Sequence, residues 1–207
     1  MAPMTRSRAT ADHIPTPIMA EYYGQRSGAG LIITEGTSPS PNGVGYARIP
    51  GIYNQEQVKA WKPVTESVHS GGAKIFIQLM HTGRVSHPDN MDPSAEIVAP
   101  SAKAPVGTEM YSDQNGMQPI PVPKEMTVSD IEKAISEYVK ASELSVQAGF
   151  DGVELHSANG YLMEQFLNPG SNERKDEYGG THEKRSRFVL EVAKRTVETI
   201  GKDKVGI

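Results

Sequence analysis

His156, Asn159 and Tyr161 follow closely on one another at the end of a short apolar run, 152–156. His156 and Asn159 are hydrogen-bond donors three positions apart, which a helical turn would bring to one face. Two donors converging on one point can polarise a carbonyl or hold an oxyanion. Tyr161 adds a phenol able to deliver a proton in a dry site. Two carbonyl-holding groups beside one weak acid suit reduction or enolate chemistry better than hydrolysis. A plainer reading makes His156 a satisfied core histidine and Tyr161 a packing residue. Gln78 lies inside another apolar run, 74–80, where a buried amide requires a partner. His81, His87 and Asp92 match no standard metal spacing, and the segment between them is broken by proline. Arg174, Asp176 and Tyr178 beside Gly179 and Gly180 read as a structural loop brace, and 184–187 as a solvated helix start.

Short, nearly continuous apolar runs at 31–35, 74–80, 152–156 and 204–207 are strand candidates, of the kind covered on both faces in a parallel sheet. Helical patterns lie between them. Ser129 and Glu132 have capping-box spacing ahead of Ile131, Ala134, Ile135, Tyr138 and Val139, with Gly149 as a stop. A second stripe runs from Phe188 to Ile200 and ends at Gly201. A weaker helix spans 55–70, where Pro63 must kink it or start it anew, and a short one spans about 18–26. From 83 to 124 the pattern fails under seven prolines, a long loop excursion after the third strand of the chain. The order is α/β. Neither the G-x-G-x-x-G of a dinucleotide fold nor the P-loop pattern occurs. Polar residues gather instead where strands end: Thr5, Glu35, Gln78, His81, His156 and Asn159. That placement is the one a (β/α)8 barrel uses for chemistry.

Across 207 residues, 21 basic and 25 acidic side chains leave a formal charge of −4, and the signs are interspersed. Such a balance argues against a nucleic-acid partner or a polybasic membrane surface. The absence of cysteine removes disulfides, thiolate metal sites and thiol redox chemistry within this sequence. No run approaches the ~20 apolar residues of a membrane span, and the simplest location is cytoplasmic.

The block H-x-x-N-G-Y-L-x-x-Q-F-L from His156 to Leu167, followed by 171–180, resembles the Old Yellow Enzyme family of FMN-dependent ene-reductases. The start at 2–8, the 33–36 block and 76–84 resemble that family's first three strand ends, in family order. The resemblance implies a TIM barrel with FMN as cofactor and NADPH or NADH as co-substrate. It implies that Thr5 bonds the flavin O4 region, that Pro3 and Met4 line the ring, that Gly36 permits its close approach, and that Gln78 bonds its pyrimidine edge. It further implies that His156 and Asn159 bind the carbonyl oxygen of an enone and that Tyr161 protonates its α-carbon.

A (β/α)8 barrel takes ~250 residues, and strand candidates here number about five, counting one that ends near Thr5. The expected fold is therefore a single domain over 1–207, a partial TIM barrel carrying the proton donor, the carbonyl-binding pair and one rim of the flavin site. The family's phosphate grip lies on later strands. An open sheet would expose edges and an apolar interior. The expected consequence is poor folding alone, self-association, or need of a complementing C-terminal half-barrel. The alternative function is accordingly a catalytically incomplete fragment or half-barrel.

Overall fold

The computed structural model describes residues 1–207. Helix α1 (Pro17–Gly24) opens on a proline in its first turn, where the missing N–H costs nothing. Strand β1 (Leu31–Thr37) follows. Helix α2 (Gln55–Ser70) is capped by Asn54, whose side chain accepts from Gln57 N at 2.9 Å. After β2 (Lys74–Leu79) comes the excursion. It carries β3 (Val98–Ala99), the hairpin of β4 (Glu109–Ser112) and β5 (Gly116–Pro119), and β6 (Lys124–Glu125), which pairs with β3. Then come α3 (Val128–Gln147), β7 (Gly152–Leu155), α4 (Leu162–Leu167), α5 (His182–Ile200) and β8 (Val205–Gly206).

The main sheet is parallel throughout, in the order β1-β2-β7-β8. In so monotonic an order, right-handed crossovers put the connecting helices on one face. A doubly wound sheet would place them on both, so this is barrel winding. Trp61 and Val64 of α2, Ile135 and Tyr138 of α3, and Phe188 and Val192 of α5 are fully buried. They share one core with Ile75, Ile77, Leu79, Val153 and Leu155 from the sheet. The other face carries the half-buried Ile33, Phe76 and Glu154. No helix is long and apolar enough to cross a membrane.

Several expectations are corrected in detail. No strand forms over residues 1–7; Met1 alone makes backbone-to-backbone bonds to β1, at Leu31 O and Ile33 N, and Pro3 has no N–H to add. The capping box is Thr127 with Asp130, two residues earlier than expected, and Glu132 instead pairs with Arg195. Thr127-x-x-Asp130 has the same pattern as Ser129-x-x-Glu132, so spacing alone does not choose between them. Helix α2 runs through Pro63 without a second start. Pro63 and Lys59, whose carbonyl loses its donor, are both exposed, so water meets the loss. Arg185 is buried rather than solvated: it donates to Leu167 O at 2.8 Å and to Gly180 O, and its guanidinium meets His182 Nδ1 at 2.9 Å. Arg174 is a brace, buried and donating to Pro100 O, Met126 O and Asp176.

Candidate active site

Strand β7 ends at Leu155, and His156 is held to the sheet by its own N–H, which donates to Leu79 O at 3.0 Å. Its Nδ1 accepts from Ala158 N at 3.3 Å, which assigns the ring proton to Nε2. Burial lowers the His156 pKa, against its own backbone and the nearby Glu154 carboxylate, which raise it. The imidazole is thus neutral near pH 7, with Nε2–H as an unengaged donor.

His156 and Asn159 do not lie on a helical turn, as the spacing suggested. The chain reverses through two left-handed residues, Asn159 at φ +56° and Gly160 at φ +80°. Asn159 is exposed, and its side chain has no protein partner. The reversal returns Tyr161 to His156, edge to face, with ring centroids 5.0 Å apart. The Tyr161 hydroxyl lies 2.8 Å from that of Tyr46, whose pKa is pushed up by burial and by this contact. Gln165, one turn into α4 and fully buried, fixes the turn from below. Its Nε2 donates to Gly160 O at 2.7 Å and Thr82 O at 3.0 Å, and its Oε1 accepts from Arg84 N at 3.1 Å. The ends of β2 and β7 are thereby tied together.

Gly36, Gln78, Glu154 and Gly206 are successive partners across the sheet. They form one row, with glycine at both ends. The partner required by Gln78 is Glu154: Gln78 Nε2 donates to Glu154 Oε1 at 2.7 Å. Gln78 is 7% exposed, yet its Oε1 and second N–H bond to no protein group. A Cβ on Gly36 would lie 2.5 Å from Met80 Sδ, so a larger residue there would require the Met80 side chain to shift.

Pro3, Met4 and Thr5 run beside β1. The buried Glu35 accepts from Arg6 N at 3.0 Å and from Tyr23 Oη at 3.2 Å. Burial raises the Glu35 pKa, and the Arg6 amide and Tyr23 hydroxyl oppose the shift. Met4 and Thr5 are exposed, and Thr5 Oγ1 bonds to nothing in the protein. The expected residues therefore fall into three groups: His156 and Tyr161 in contact, with Asn159 on the turn between them; Gly36 and Gln78 as strand partners; and 3–5 along the edge. Tyr46, Glu154 and the clamp role of Gln165 were not foreseen. Tyr46 has no local signal, because its partner is 115 positions away.

Parallel winding with polar residues at strand ends defines an α/β chain of the barrel type. The whole chain, residues 1–207, matches the NADH:flavin oxidoreductase / NADH oxidase family. A probable flavin mononucleotide-dependent alkene reductase of Leishmania infantum is 44% identical over 210 residues, covering all of this chain and 58% of that protein. The Old Yellow Enzyme homologue of Zymomonas mobilis superposes with TM-score 0.94 at 45% identity, over 99% of this chain and 57% of that one. Morphinone reductase in complex with tetrahydroNAD superposes with TM-score 0.95 at 43% identity, over 100% and 58%. The chain belongs to the NADH:flavin oxidoreductase / NADH oxidase family, and its fold matches the N-terminal part of the Old Yellow Enzyme barrel. It spans little more than half the length of these relatives.

Proposed function

We propose that the chain forms the N-terminal part of an FMN-dependent ene-reductase, which reduces the C=C bond of α,β-unsaturated carbonyl compounds with NAD(P)H. The observation that carries this is the turn after β7, which sets a neutral His156 Nε2–H against a hydroxyl-bonded Tyr161 and leaves the Asn159 amide free on the turn between them. The family match and the names of the relatives agree with it. The residues also fit the cofactor. Gln78 presents a free acceptor and a free donor from a buried amide, complementary to the N3–H and C2=O edge of a flavin.

On this proposal Gly36 and Gln78 receive the ring, and Pro3, Met4 and Thr5 line it. Held there, FMN would supply hydride chemistry toward the β-carbon, with NAD(P)H as the source of the electrons. His156 Nε2–H and the Asn159 amide bind the carbonyl oxygen and stabilise the negative charge that builds there. Tyr161 Oη delivers its proton to the α-carbon, so that the double bond gains one hydride and one proton. Tyr46 orients the Tyr161 hydroxyl. The substrate is a small enone, taken without a nucleic-acid or membrane partner, and the location is cytoplasmic.

One observation favours the second reading, in which function needs a complementing C-terminal half-barrel or self-association. β8 pairs with β7 alone, and Phe76 is only half-buried on the inner face. The test is to incubate the purified chain with FMN, remove free flavin by gel filtration and count the flavin retained. Near one per chain supports the enzyme reading; none supports the complement. In the flavin-loaded protein, Tyr161→Phe is expected to slow enone reduction by about 10²-fold or more while NAD(P)H still reduces the flavin at the original rate. Unchanged rates in both half-reactions would remove Tyr161 from its role.

A further inference from the structure

The carboxylate that holds Gln78 has no place in the chemistry above. We propose that Glu154 is a positioning residue of the flavin site: it sets which way the Gln78 amide faces. The inference rests on the flavin reading of Gln78. The two side chains come from directly paired positions of neighbouring parallel strands, on the face away from the helices. A side-chain amide has two orientations of nearly equal shape, with oxygen and nitrogen exchanged. Glu154 removes that ambiguity. In one orientation Gln78 Nε2 donates to Glu154 Oε1 at 2.7 Å, a charge-assisted bond between a buried amide and a half-buried carboxylate. In the other, Gln78 Oε1 would face a carboxylate oxygen, acceptor against acceptor. The first orientation leaves Oε1 and the remaining N–H free together, as one acceptor and one donor side by side. That pair is what a pyrimidine edge with one N–H and one C=O requires; the flipped amide would present it in reverse order.

The row explains why the effect is local. Gly36 and Gly206, at its two ends, add no side chain that could hold the amide instead. Gln78's backbone is fixed separately, through its N–H to Thr34 Oγ1 at 3.1 Å. Only the side-chain torsions are left for Glu154 to decide.

The test is a double-mutant cycle on FMN affinity in the 207-residue chain, using Glu154→Leu, Glu154→Gln and Gln78→Ala. Glu154→Leu is expected to weaken FMN binding by about tenfold or more, the equivalent of one charge-assisted hydrogen bond. Glu154→Gln keeps an acceptor without the charge and is expected to recover part of the loss. In the Gln78→Ala background, Glu154→Leu should have no further effect. A merely structural role for Glu154 would weaken binding equally in both backgrounds, and that result overturns the proposal. So does an affinity within twofold of the unaltered chain for Glu154→Leu. Side-chain amide NMR gives a readout independent of FMN: the Gln78 NH₂ signals should shift in Glu154→Leu, and unmoved signals also refute the orientation role. If the unaltered chain takes up no FMN, the complement reading replaces the enzyme reading of the isolated chain, and the Gln78 amide signals alone decide the orientation role, unmoved signals in Glu154→Leu refuting it.

Discussion

Replacing Gln165 with leucine should uncouple the two loops that carry the site. The side chains are of similar size, so packing is largely kept and the change isolates the polar contacts. Gln165 is fully buried and makes three side-chain hydrogen bonds, all to backbone groups: Thr82 O, Gly160 O and Arg84 N. Leucine removes all three bonds. An unsatisfied buried polar group costs about 1–3 kcal/mol. Thr82 O keeps a second donor, Val85 N at 3.2 Å, whereas Gly160 O and Arg84 N lose their partner in half-buried positions that water partly reaches. The expected destabilisation is therefore about 2–4 kcal/mol, a large share of the 5–15 kcal/mol that holds a typical domain folded. Trp61 is the only tryptophan and is fully buried, so its fluorescence reports unfolding directly. With a urea m-value of about 2–3 kcal/mol/M, the midpoint should fall by about 1–2 M at unchanged slope. A fall worth less than about 1 kcal/mol would refute the reasoning, because it would mean that water and the second donor satisfy all three groups and no clamp exists. Gly83 supports the same contact. It sits at φ +59°, and a Cβ there would come within 2.2 Å of Gln165 Oε1.

Tyr46→Phe should slow enone reduction by the flavin-loaded protein about fivefold, the worth of one hydrogen bond orienting Tyr161, and leave flavin reduction by NAD(P)H unchanged; stopped-flow absorbance at the flavin band separates the two. Asp151 should mark the acid limb of stability. Burial pushes its pKa up, but Lys74 Nζ, Ile75 N and His69 Nε2 at 2.8, 2.9 and 2.8 Å overcome this, and the folded value lies below the ordinary one. A depressed carboxylate stabilises the fold fully above its unfolded pKa of about 4 and loses that contribution as pH falls through the folded value. Asp151→Asn should thus be less stable at pH 7 and lose less on going to pH 3, as read from urea midpoints. Some slope should remain, since Asp176 beside Arg174 and Asp130 under the Thr127 amide are shifted the same way.

The elements were legible in the sequence because each is written locally. Four strands are marked by runs of branched apolar residues, and α3 and α5 by stripes from which Ile131, Ile135, Phe188 and Val192 enter the core. What local pattern could not give was choice among equivalents. Thr127 and Ser129 both begin a capping box, and only the packing of α3 selects the first. Nor could it tell a solvated Arg185 from one that closes the 180–182 turn, because the carbonyls it satisfies, Leu167 O and Gly180 O, lie outside its helix. The 83–124 excursion shows no periodic pattern in the sequence, yet Asn90 anchors it by donating to Gly45 O and Tyr111 O at 3.0 and 2.8 Å.

The candidate site divides along the same line. His156, Asn159 and Tyr161 stood out because one turn holds all three. The contacts that condition the site join different strand ends: Tyr46 to Tyr161 across 115 positions, Glu154 to Gln78 across 76, and Gln165 to Thr82 across 83. In parallel winding, neighbouring strands are separated by a whole crossover helix, so side chains that meet at one end of the sheet are always far apart in sequence. The residues that would face substrate were therefore readable as a motif. The residues that orient them were not, and the Gln165, Tyr46 and Glu154 substitutions address this second group. Their effects should be unequal: Gln165 joins two backbone turns and should appear in stability, whereas Tyr46 and Glu154 each touch one side chain and should appear only in proton delivery and in flavin affinity.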